Sequence, residues 1–220
     1  YSTLPVVIDR VHIARERAPG NPDIVAGTSC LLRFNGQSRI TLNAGETRAS
    51  DWMTYPIAPF ERVTISFFAP EPTPQVTRHL SANEWVYLST PGDHTADSDG
   101  AAYLQTPDGY ASNFLVIEAL EVLSRRSTKT LVVVGDSITD GSDSTTGFID
   151  GQPSPMTASD QRYPNHLQRR ILAAGLPITV ANAGIGGNEL LKDGWLPQFG
   201  PALLKRLDTD VLETAGATHV

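Results

Sequence analysis

Gly135-Asp136-Ser137 follows the apolar run 131–134 directly, which puts a serine hydroxyl at the carboxyl end of a buried strand. In an open α/β sheet that is where reactive groups are exposed. Glycine lets the chain turn sharply and gives a substrate close access, and the hydroxyl attacks a carbonyl once a base removes its proton. The tripeptide alone is weak evidence, because serine is an ordinary turn residue. A second block, Asn182-Ala-Gly-Ile-Gly-Gly-Asn188, follows the next predicted strand, so both loops emerge on one edge of the sheet. Gly184, Gly186 and Gly187 leave backbone N–H groups unobstructed, as stabilisation of a developing oxyanion requires. A glycine-rich loop could instead bind phosphate, but the Gly-x-Gly-x-x-Gly and Gly-x-x-x-x-Gly-Lys-Ser/Thr patterns are missing from it.

Other residues of chemical type have plainer readings. Asp136 orients the nucleophile turn through backbone hydrogen bonds, as aspartate does in turns generally. Asp136, Asp140 and Asp143 lack the spacing of a calcium loop and read as a solvated acidic loop, so no metal site is expected. Asp93, His94, Asp97 and Asp99 read as a surface loop, with cation binding or the edge of an active site as the alternative. His166 falls in a helix away from any strand end and reads as a surface residue. Cys30, the single cysteine, has apolar neighbours and reads as a buried structural thiol.

The elements that must position these groups change character along the chain. Short β-prone runs at 6–13, 38–42, 62–68 and 114–120 are broken by Pro, Gly, Asn and Asp, a spacing that predicts a β-sandwich or jelly roll over 1–125. Residues 62–68 alternate between two faces, as a half-buried strand does. Beyond the polar stretch 124–129, residues 126–220 read strand, helix, strand, helix, and the onset of another strand at 218–220, the order of a parallel α/β sheet. The first helix starts at Pro164 with Tyr163, Leu167, Ile171 and Ala174 on one face. The second starts near Pro201, buries Leu203, Leu207 and Val211, and is closed by Gly216.

Val134-Gly-Asp-Ser-Ile-Thr-Asp-Gly141 resembles the first block of SGNH (GDSL) hydrolases, and Asn182-Ala-Gly-Ile-Gly-Gly-Asn188 resembles the second. The likeness extends through Tyr163-Pro164 to Asp210-Val211. More loosely, Pro91-Gly-Asp-His-Thr-Ala96 resembles part of the β-rich accessory domain in a multidomain subgroup. The resemblance implies a flavodoxin-like three-layer α/β/α catalytic domain acting on small-molecule or carbohydrate esters. It makes Ser137 the nucleophile, and the N–H groups of Ser137 and Gly187 two of three oxyanion donors. The third donor, an Asn in a Gly-x-Asn-Asp block, and the base, from an Asp-x-x-His block, have no counterpart in this sequence. They are expected from a C-terminal segment or second chain. Glu189 departs from the pattern, standing where many relatives carry a basic residue. No metal or organic cofactor is implied.

A net charge of -7 and a pI near 5.1 leave no field to attract phosphate backbones, so nucleic acid is a poor partner. No apolar run approaches the ~18 residues of a membrane span. Localisation is left open, with a secreted or periplasmic setting favoured. The competing reading is a non-catalytic module whose β-rich half binds carbohydrate, which exposed aromatics at Trp52, Trp85 or Tyr87 would favour.

Overall fold

Valine- and isoleucine-rich runs at the front of the chain pair as short antiparallel ribbons, and the fully apolar run further on becomes the centre of a parallel sheet. A computed structural model describes residues 4–73, 76–79, 82–105, 113–124, 127–142, 144, 148–149, 152–153 and 159–220. The chain is rich in strands, has three α-helices among the described residues, and mixes antiparallel with parallel pairing. It divides into two compact units, residues 1–77 with 86–106, and residues 78–85 with 107–220.

In the first unit the expected 6–13 run splits into β1 (Val6–Ile8) and β2 (Arg10–Arg15). β3 (Cys30–Leu31), β4 (Ile40–Leu42) and β5 (Val63–Phe68) follow. β1 pairs with β4, and β2 is the centre of a three-stranded sheet between β3 and β5. The core is Val6, Ile8, Val11, Ile13, Ala14 and Ile24; Val6 and Ile8 on β1, and Val11 and Ile13 on β2, are alternate positions that reach one face because strand side chains have a period of two. The expected alternation along 62–68 is not seen in burial, since all six residues of β5 are half-buried; a three-stranded ribbon covers neither of its faces completely. Cys30 is half-buried rather than buried.

In chain order come β6 (Arg78–His79), β7 (Tyr87–Ser89), β8 (Tyr103–Gln105) and β9 (Phe114–Leu115). β7 pairs with β8 inside the first unit, whereas β6 pairs with β9 inside the second. The division thus departs from the expected boundary near residue 125. A change in composition marks 124–129, but compactness follows pairing: 78–85 and 107–125 belong with the parallel sheet although their sequence reads like the β-rich front. The expected strand at 114–120 is confined to β9.

The parallel sheet consists of β10 (Lys129–Gly135), β13 (Ile178–Gly184) and β14 (Ala217–His219), in the order β13-β10-β14. Between its first two strands lie α1 (Ser137–Asp140), a small ribbon of β11 (Phe148–Ile149) and β12 (Gln152–Pro153), and α2 (Tyr163–Ala173). α2 carries Pro at its first turn, where a missing N–H costs nothing, and buries Pro164 and Ile171, while Tyr163 and Ala174 stay exposed. α3 (Leu203–Leu207) leads into a wider turn, Asp208–Leu212, and Gly216 follows at φ 70°. Val211 is buried as expected and Leu203 and Leu207 are half-buried, but the most enclosed residue of α3 is Arg206. No helix among the described residues is long and apolar enough to cross a membrane.

Candidate active site

β10 and β13 pair in register from Lys129 with Ile178 to Gly135 with Gly184, so the chain leaves both strands at the same sheet edge. Ser137 opens α1 immediately beyond β10. Gly187 lies three residues beyond β13, in a turn closed by the Asn188 N–H donating to the Ile185 carbonyl at 3.1 Å. The Ile185 N–H donates to the Gly135 carbonyl at 3.0 Å, which ties the start of the glycine loop to the residue that precedes the Asp136-Ser137 turn.

Asp136 is the N-cap of α1, and its carboxylate accepts from the Ile138 N–H at 3.0 Å. An N-cap carboxylate satisfies a donor that the helix itself leaves over, so Asp136 sets where the helix begins and hence where Ser137 sits. Ser137 is half-buried, and its hydroxyl has no hydrogen-bond partner among the described residues. The N–H groups of Ser137 and Gly187 likewise have no acceptor among them. A helix as short as α1 has little stability of its own, and close packing holds it. A Cβ on Gly135 would meet the Thr139 hydroxyl at 2.3 Å, and one on Gly184 would meet the Asp140 nitrogen at 2.3 Å. These two glycines let α1 lie directly against both strand ends. Asn182 completes the joint, its Nδ2 donating to the Thr139 carbonyl at 2.8 Å while its Oδ1 accepts from the Gly184 N–H at 2.9 Å.

Three residues whose sequence context reads as solvent-facing organise this edge. Asp140 was expected in a solvated acidic loop, but it is 4% exposed. Its Oδ2 accepts from the His79 Nε2–H at 3.0 Å and from the Gly186 N–H at 3.0 Å. Burial of a carboxylate is costly without such donors, which is why Asp140 lies where two converge. Asp143 lies outside the described residues. Arg162, just before α2, donates from Nε to the Asp140 carbonyl at 2.7 Å and from Nη2 to the Ala82 carbonyl at 2.6 Å. Arg206 donates to the Gly135 carbonyl, the Ala183 carbonyl, Asn188 Oδ1 and Asp210. The one hint of it in the sequence is the Arg206/Asp210 spacing of four residues, the ordinary spacing of a helical ion pair.

The other singled-out residues lie elsewhere. His166 is exposed on α2, and Glu189 is exposed at the end of the glycine loop. In the first unit Asp93 accepts from Arg10 at 2.6 Å and from the Thr95 hydroxyl at 2.6 Å, and His94 pairs with Asp97 at 2.8 Å. Asp99 accepts from the Ala101 N–H at 3.2 Å, so each member of the cluster has a partner. Among the described residues no group of three or more His, Cys, Asp or Glu could hold a metal ion. Compared with protein-family models and with curated proteins, the chain matches none.

Proposed function

We propose that the chain is the nucleophile-bearing part of a serine ester hydrolase, its second unit the start of a flavodoxin-like SGNH domain and its first unit a β-sandwich-like accessory domain. The observation that carries this reading is the shared sheet edge: Ser137, whose hydroxyl and N–H have no partner among the described residues, follows one strand, and Gly187, whose N–H has none among them, follows its parallel neighbour.

In this scheme Ser137 Oγ attacks the acyl carbonyl of a small-molecule or carbohydrate ester as its proton passes to a base. The Ser137 and Gly187 N–H groups bind the oxyanion, where fixed donors are worth most because they need no reorganisation. The C–O bond to the alcohol breaks, and the base returns its proton to the leaving oxygen. Water then attacks the acyl-enzyme and frees the acid and the serine. No metal or organic cofactor takes part. A serine hydroxyl is a weak nucleophile without a base in reach. The reading assigns that base to an Asp-x-x-His block, and the third oxyanion donor to a Gly-x-Asn-Asp block, both on a segment outside residues 1–220.

The test is to treat the full-length protein with a fluorophosphonate and map the adduct by mass spectrometry. Labelling at Ser137 that disappears in Ser137→Ala supports the proposal. A protein that hydrolyses esters equally well as Ser137→Ala refutes it.

Trp52, 65% exposed in the first unit, supports the second reading, a carbohydrate-binding module. Retention on an insoluble polysaccharide, lost in Trp52→Ala, is the corresponding measurement.

A further inference from the structure

The glycine loop that follows β13 is tied at Ile185 and Asn188, but its middle has no side chains of its own to hold its shape. Gly186 and Gly187 have no side chains, and glycine loses more conformational freedom on ordering than any other residue. An oxyanion donor is useful only when it is fixed before the reaction. The loop nevertheless leaves the sheet edge along a defined path, and the side chain that bonds its middle is Asp140. The Gly186 N–H donates to Asp140 Oδ2 at 3.0 Å, and a Cβ added to Gly186 would lie 3.6 Å from the same oxygen. The Ile185–Gly186 peptide, one unit before the peptide that carries the Gly187 N–H, is thus anchored on the last residue of the four-residue helix that Ser137 begins.

The anchor is itself fixed on both sides. The Asp140 carbonyl accepts from Arg162 at 2.7 Å, and the Thr139 carbonyl accepts from Asn182 at 2.8 Å, which hold the backbone of α1. The carboxylate is held by His79, whose ring donates to the oxygen that also receives Gly186. His79 lies in β6, which pairs with β9 in the second unit, so the ring is delivered by a strand and not by a loose loop. One oxygen with two converging donors restricts the carboxylate to a single rotamer, and the carboxylate restricts the loop.

We propose that Asp140 and His79 are positioning residues of the ester-hydrolase site, the carboxylate fixing the Ile185–Gly186 peptide and with it the path by which the loop presents the Gly187 N–H to the oxyanion. This rests on the reading of Ser137 as nucleophile. Neither residue touches the substrate: Asp140 acts through the Gly186 N–H, and His79 acts through Asp140. The charge of the carboxylate adds to the effect, because a charge-assisted bond to a backbone N–H is shorter and stronger than a neutral one.

The experiment uses the full-length protein and four variants, Asp140→Asn, Asp140→Ala, His79→Gln and His79→Ala. For each, kcat and KM on a short-chain aryl ester, the rate of fluorophosphonate labelling, the thermal midpoint and the amide shift of Gly186 by NMR are measured. Misplacing a reacting group by about 1 Å costs about 100-fold in rate, so Asp140→Ala is expected to lower kcat by about that factor. KM should change little, and the labelling rate should fall in parallel. His79→Ala should lose less, and His79→Gln, which keeps a donor, should recover most of that loss. The Gly186 amide proton should move upfield in Asp140→Ala and in Asp140→Asn, and a general loss of stability would not single it out. Wild-type kcat in a folded Asp140→Ala overturns the proposal, as does a Gly186 amide that ignores both Asp140 variants. If Asp140→Ala does not fold, Asp140→Asn and the His79 pair give the same comparison. Failure of the wild type to label at Ser137 sinks the ester-hydrolase reading instead, and the Gly186 shift then still reports whether Asp140 holds the loop.

Discussion

Arg206 Nη1 donates to the Ala183 carbonyl at 2.7 Å, so a side chain of α3 ends on the backbone of β13 just before the glycine loop. The same guanidinium reaches the Gly135 carbonyl at 3.2 Å and Asn188 Oδ1 at 3.1 Å. Arg206 is 4% exposed, and Asp210 supplies the opposite charge at 2.8 Å. A planar fork serves these acceptors, on two strand ends and one loop, at once, which a lysine ammonium does not do.

Removing one partner of a buried ion pair leaves polar groups without partners and costs about 3–5 kcal/mol. Arg206→Met is accordingly expected to lower unfolding stability by about 3 kcal/mol, the low end because Asp210 retains contact with water. Arg206→Lys should fall between it and the wild type. Urea unfolding measures both, and a midpoint unchanged in Arg206→Met would show that the clamp contributes nothing.

Much of this edge was legible in the sequence, and for a definite reason. Residues 131–134 are apolar without interruption, and Gly135-Asp136-Ser137 and 182–188 use residue types that report their own backbone geometry. The same is true of Pro164, which marks where α2 begins; Gly216 was less informative, since the turn after α3 ends at Leu212 and is capped by Glu213. Arg206, Asp140 and His79 were not legible, because a charged residue in a polar context reads as solvent-facing until the fold shows what surrounds it. The division into 1–77 with 86–106 and 78–85 with 107–220 was not legible either: β6 is two residues long, too short for a pattern, and its partner β9 is found only by pairing.

Gly184 and Gly186 stand two residues apart and should respond differently to alanine. A Cβ at 184 meets the backbone of Thr139 and Asp140 at 2.3–2.9 Å, and backbone atoms do not move aside cheaply. Overpacking costs about 1–3 kcal/mol, so Gly184→Ala should lower the thermal midpoint. At 186 the nearest atom is the Asp140 carboxylate at 3.6 Å, an ordinary contact, and Gly186→Ala should fold nearly as well as the wild type. Equal midpoints for the two variants would contradict the packing of α1 against β13.

His94 should titrate above the ordinary histidine value. The hydrogen bond to Asp97 raises its pKa most, partial desolvation opposes it, and the Pro91 carbonyl, Asp97 and Asp93 add to the rise. Because the folded value is raised, the stabilisation is fully present below the unfolded pKa of about 6.5 and is lost as pH climbs through the folded value. NMR titration of the His94 ring should show the raised midpoint, and Asp97→Asn should bring it down. An unchanged midpoint in Asp97→Asn would assign the rise to another group.

Gly187 carries the strongest constraint on the proposed oxyanion loop, and two effects of substitution there are separable. Its φ is 75°, in the left-handed region, where a residue with a Cβ pays about 1–2 kcal/mol. A Cβ would also meet the Phe199 ring at 2.4 Å, and Trp195 packs edge-on against that ring with centroids 5.6 Å apart. Gly187→Ala must therefore either push Phe199 away or rotate the loop out of the left-handed region. Pushing Phe199 leaves the N–H where it is. Rotation swings the N–H, and losing one oxyanion donor costs about 100- to 1,000-fold in kcat. The double variant Gly187→Ala/Phe199→Ala removes the clash and keeps the backbone strain. If the double variant recovers most of the lost kcat, the ring contact was what displaced the donor. If it stays as slow as Gly187→Ala while both remain folded by circular dichroism, the left-handed conformation is what aims the N–H. A kcat for Gly187→Ala equal to that of the wild type would show instead that Phe199 gives way and the N–H stays in place.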